Sequence, residues 1–85
     1  MLRICRIDSV AGEVTLRLEG RLVGPWVNEL KTLYGSLSKE AGLISLDLAE
    51  VLFVDREGIA LLRILRNSNV ELRGCSPLVA EELKS

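Results

Sequence analysis

The sequence predicts an α/β domain built on a mixed sheet, and three features carry that prediction. Glu13 to Glu19 alternates cleanly, with Val14, Leu16 and Leu18 on one side and Thr15 and Arg17 on the other, the period of a half-buried strand. Leu43 to Leu65, reading LISLDLAEVLFVDREGIALLRIL, changes period at Asp55-Arg56-Glu57-Gly58. Beyond that point Ile59, Leu61, Leu62, Ile64 and Leu65 recur at helical spacing. Pro25 and Pro77 each open an apolar helical pattern, where a missing N–H would be unpaired in any case.

In chain order, Leu2 to Ile7 reads as a first strand, its alternation blurred by Arg3 and Arg6 around Ile4 and Cys5. Asp8 to Gly12 supplies turn chemistry, with Gly12 free to take a positive φ, so the first two strands form an antiparallel hairpin. Gly20 to Gly24 is expected to lead out of the sheet. A helix follows from Pro25 to Leu37, with Trp26, Leu30, Leu33 or Tyr34, and Leu37 as its apolar stripe. Ala41-Gly42 ends the polar tail of that helix. Leu43 to Leu48 is the third strand, and the acidic link Asp47-Leu48-Ala49-Glu50 leads to a second apolar patch, Val51 to Val54. Asp55 is the N-cap of a helix over Glu57 to Arg66, which Asn67-Ser68-Asn69 breaks. Val70 to Arg73 is a short fourth strand closed by Gly74. Ser76-Pro77 then starts a final helix through Leu78, Val79 and Leu83. The order β-β-α-β-α-β-α implies two right-handed strand-helix-strand crossovers beside the opening hairpin.

Composition narrows the function. The 85 residues make one small domain, 1–85, near the lower size limit for a chain held by a hydrophobic core. Apolar residues are 48% of the chain, too many for a disordered tail. Eleven basic residues stand against 12 acidic ones, which leaves no basic excess to attract nucleic acid. No segment reads as a signal peptide or a membrane span, so the expected location is the cytoplasm, without membrane insertion. Cys5 and Cys75 match no metal or redox spacing and read as packed thiols. There is no histidine, which removes the commonest general base and metal ligand. A binding module is therefore expected rather than an enzyme, with no cofactor and no metal.

The strand-to-helix loop is the candidate site, because it leaves free N–H groups at a helix start pointing outward. Asp55 as a cap contributes about 1 kcal/mol, enough to explain it structurally. Gly58 in the first turn costs about 1 kcal/mol against alanine, which points to a close approach by a packed neighbour or a docking protein. Arg56 and Glu57 read first as solvated loop residues. A metal-binding alternative would gather Asp47, Glu50, Asp55 and Glu57, but each acid has a simpler structural use and Arg56 opposes a cation. Arg63, Arg66 and Arg73 read as an exposed polar face before an anion site.

The element order, LEGRL at 18–22, and LDLAEVLFVDREGIALL at 46–62 together resemble the STAS domain, a family that includes the anti-anti-sigma factors of bacterial partner-switching pathways. Asp47, Leu48, Val51, Phe53, Asp55 and Gly58 match its central signature, with Ile59 for the usual leucine. The resemblance implies a STAS-like mixed sheet and a signalling role in transcription regulation through protein binding. Its expected partner is an anti-sigma factor or kinase-like ATPase, with Asp55, Arg56, Glu57 and Gly58 as the partner-binding loop. In regulated members the residue after the Asp is a phosphorylated Ser or Thr. Here that position is Arg56, and the second serine position is Glu57, so no phosphorylation is expected at this loop. The family commonly continues with a further strand and helix, so this stretch would leave a sheet edge open to a partner or to a second copy in a homodimer. Two other readings are a small STAS subunit docking on a membrane transport ATPase, and a nucleotide or small-anion sensor at Arg56.

Overall fold

The computed structural model describes residues 2–8, 12–40 and 42–84. Its elements are β1 (Leu2–Asp8), β2 (Glu13–Leu22), α1 (Pro25–Leu37), β3 (Leu43–Val54), α2 (Arg56–Asn67), β4 (Glu71–Arg73) and α3 (Pro77–Lys84). The predicted order holds throughout. Ser9, Val10 and Ala11 of the hairpin turn lie outside the described residues, while Gly12 takes the expected positive φ of 78°.

One four-stranded sheet runs β1-β2-β3-β4, with β1 antiparallel to β2 and the other pairs parallel. Each parallel step moves one strand in the same direction, so right-handed crossovers place α1 and α2 on the same face. Burial agrees. The register aligns Val14 with Ile44 and Leu16 with Leu46, and all four are buried. Leu18, Leu48, Leu30, Leu62 and Leu65 complete the centre of the core. The opposite face carries the row Cys5, Arg17, Asp47 and Arg73, polar and at least partly exposed. Such a one-sided sheet is what the alternation of β2 requires.

Three expected boundaries move. Gly20 to Leu22 stays in β2 and pairs with β3 as far as Leu22 opposite Val54, so it does not lead out of the sheet. The supposed acidic link is likewise inside β3, which runs unbroken from Leu43 to Val54. Between Arg17 and Glu19 the facing strand advances from Asp47 to Glu50, and between Gly20 and Arg21 it advances from Val51 to Phe53. These are two bulges in β3, and the extra residues read in sequence as a break in alternation. Asp47 supports the first by accepting a bond from the Ala49 N–H at 3.0 Å. The second makes Leu52 the extra residue.

The fourth strand covers only Ser45 to Asp47 of β3 and omits Val70, whose N–H instead donates to the Leu65 carbonyl at the end of α2. Asn69, at φ 69°, makes that reversal, a conformation asparagine tolerates better than most side chains. The apolar stripe of α1 is rotated slightly from expectation: Val27, Leu30 and Leu37 are buried, and Trp26, Leu33 and Tyr34 only partly so. Helix α3 packs on α2 through Val79 and Leu83.

Candidate functional site

The corner where β3 meets α2 is assembled around Asp55. Its Oδ1 accepts a bond from the Gly58 N–H at 2.7 Å, the N-cap of α2, and its Oδ2 accepts from the Gly24 N–H at 2.9 Å. The Asp55 N–H in turn donates to the Leu22 carbonyl at 3.2 Å. One side chain therefore fixes the start of α2 and the residue just before α1. Both helix dipoles favour a negative charge there. The Gly24 N–H first, then that of Gly58, hold the Asp55 carboxyl below its ordinary value against a smaller desolvation effect, and the Glu57 N–H adds least.

Gly58 is buried, and its neighbour is internal to the fold. A Cβ at this position would lie 2.6 Å from Val54 Cγ1 and 2.9 Å from the Leu22 carbonyl oxygen. The glycine is thus required where the first turn of α2 presses on the ends of β2 and β3. Arg56 and Glu57, on either side of this packing, are both exposed. The loop consequently has a rigid base, Asp55 and Gly58, and a charged outer surface, Arg56 and Glu57.

Beside the loop lies a groove of about 610 Å³ between the end of β3, α2 and α3. Leu52 and Phe53 flank it and remain 79% and 52% exposed, while Ile59 and Val79, at 7% each, form its base. Arg56, Ala60 and Arg63 line the α2 side, and Ser76 and Glu82 the α3 side. The exposure of Leu52 and Phe53 follows from the second bulge, which turns consecutive apolar residues of a strand away from the core. Four successive apolar residues, Val51 to Val54, were a signal of this, because a sheet covered on one face cannot bury all four.

The arginines of α2 have a role that spacing did not reveal. Arg63 Nη2 donates to the Glu82 carbonyl at 2.6 Å and Arg66 Nη2 to the Leu83 carbonyl at 3.4 Å, so both cap the C-terminal end of α3. Arg73 instead pairs with Glu71 at 3.0 Å on the strand surface. Among the described residues no group of three or more His, Cys, Asp or Glu is placed to hold a metal ion. The four acids of the metal alternative therefore do not converge. Cys5 and Cys75 are unpaired thiols, and burial pushes that of Cys75 up, with Arg66 opposing. No described helix is long and apolar enough to cross a membrane.

No family model matches the chain, and no curated protein matches it in sequence. Its fold matches solved structures closely. The anti-sigma factor antagonist SpoIIAA in its unphosphorylated form superposes with a TM-score of 0.77 at 16% identity, over 96% of this chain and 82% of that one. An antisigma-factor antagonist STAS domain from Rhodobacter sphaeroides gives a TM-score of 0.58 at 16% identity, over 89% and 92%. An uncharacterized protein from Shewanella loihica PV-4 with a SpoIIAA-like fold gives 0.62 at 14% identity, over 91% and 69%. This chain has the fold of the STAS domains.

Proposed function

We propose that this domain is a regulatory protein-binding module of the anti-sigma factor antagonist kind, acting in the cytoplasm and without catalysis. The observation that carries the reading is the surface at the β3–α2 corner: exposed Leu52 and Phe53 beside exposed Arg56, on a base locked by Asp55 and Gly58. Exposed large apolar side chains next to a charged, rigid loop are what a specific docking surface needs. The absence of histidine supports binding over catalysis.

The partner is an anti-sigma-type or kinase-like ATPase that reads Asp55 to Gly58. Arg56 at the position of the usual phosphoacceptor makes that contact permanently cationic, so binding is set by the partner's state or by competition and not by phosphorylation here. A homodimer along a sheet edge has less support. Edge strand β1 carries Arg3 and Arg6, charges that discourage edge pairing, and β4 spans only three residues.

The test is affinity capture from the source cell with the native chain, Arg56→Ser and Arg56→Glu as baits. The native chain captures an ATPase of the histidine-kinase fold, and Arg56→Glu loses it. Capture of a transport ATPase would move the function to the membrane surface. Identical behaviour of all three baits would contradict a role for the loop.

A further inference from the structure

We propose that the β3–α2 corner is self-complementary, so that without a protein partner two copies of this chain join through it as a weak symmetric dimer. The inference rests on the docking surface proposed above and names what regulates it. A second copy competes with the partner for the same side chains.

Three observations carry it. Leu52 and Phe53 are the one pair of exposed large apolar residues adjacent in sequence among the described residues. Beside them Arg56 and Glu57 are exposed, opposite in charge and without an ion pair among the described residues. A two-fold axis passing between these two positions sets each copy's Arg56 against the other's Glu57, the reciprocal pairing that an isologous contact requires. The same rotation lays Leu52 and Phe53 against their counterparts and removes apolar surface from water. Two α2 N-termini meet there, and Asp55 at each supplies negative charge against the dipoles. Lastly, a formal net charge of -1 leaves no long-range repulsion to hold copies apart.

The open sheet face is also of mixed charge, yet it lacks this combination. Arg17 and Arg73 already stand beside Glu19 and Glu71 of their own strands. Its exposed apolar residues, Ile7 and Leu43, lie two strands apart and out of register. A corner of a few side chains falls short of the about 800 Å² a side of a stable interface. The dimer is therefore weak and yields to a partner that covers more surface.

Sedimentation velocity of the intact chain, from low micromolar to millimolar concentration, is expected to show a reversible monomer–dimer equilibrium. Arg56→Glu or Glu57→Arg alone sets like charges across the axis and weakens association about tenfold or more. An equimolar mixture of the two variants restores it, because each like-charged corner then meets its opposite. Both positions are exposed, so the variants keep the fold, which circular dichroism checks. A native chain that stays monomeric throughout, single variants that dimerise as the native chain does, or a mixture that stays monomeric would overturn the proposal. So would a dimer lost in Arg17→Glu and kept in Arg56→Glu, which moves the contact to the open face. These outcomes are separate from the capture test, where loss of the partner by Arg56→Glu decides the docking reading by itself.

Discussion

Asp55 joins positions 31 residues apart, so its removal does more than uncap α2. Asp55→Ala should destabilise the fold by about 1–2 kcal/mol in urea titration, at the upper end for a lost cap because the Gly24 N–H loses its acceptor too. The same bonds set a pH dependence. The folded state holds the Asp55 carboxyl below its ordinary 3.8, chiefly through the Gly24 N–H. The stabilisation is therefore complete above that ordinary value and is lost as pH falls through the lower folded one. Native and Asp55→Asn chains should differ most near neutrality and converge in acid. At Gly58 two effects of opposite sign compete. Alanine would gain about 1 kcal/mol of helix propensity, but its Cβ meets Val54 and the Leu22 carbonyl inside contact distance. Overpacking of about 1–3 kcal/mol outweighs that gain, so Gly58→Ala should lower the melting temperature. The capping role of Asp55 toward α2 was legible from spacing alone. Its bond to Gly24 was not, because no local pattern reports a contact between two loops.

At the scale of elements, α3 depends on its neighbours. Eight residues are too few to hold a helix alone in water. What holds it is Ser76 as its cap, with Oγ accepting from the Val79 N–H at 3.3 Å, burial of Val79 and Leu83, and two arginines on its last carbonyls. Leu83→Ala should cost about 2–4 kcal/mol, and hydrogen exchange should show α3 opening before the sheet. Arg63→Ala should raise exchange in the same helix while leaving β2 and β3 protected. The Ser76-Pro77 start was readable because capping chemistry is local. The arginine caps were not, since Arg63 and Arg66 at helical spacing look the same whether they face water or another helix. The bulges of β3 hid similarly. Asp47 to Glu50 breaks the alternation of a strand, and only pairing with β2 reveals that the strand continues through it.

For the whole molecule, one sheet with all of its core on one side leaves two distinct surfaces. The open face is a lattice of mixed charge, with Arg17 and Asp47 in register and Arg17 also 3.7 Å from Glu19. Exposed pairs of this kind contribute little, so Arg17→Ala should leave stability within about 0.5 kcal/mol and partner capture unchanged. The β3–α2 corner is the other surface, where the fold is locked beneath exposed apolar and cationic side chains. The sequence foretold the fold class and where this corner falls, because periodicity and capping are written locally. It did not foretell that Leu52 and Phe53 face outward, which depends on a register shift against a strand some thirty residues earlier. The most direct test of the account is a hydrogen-exchange footprint of the captured partner complex. Protection centred on residues 52–60, with the open sheet face unchanged, is the predicted result. Protection on Arg17, Asp47 and the β1 edge, with 52–60 unaffected, would contradict it.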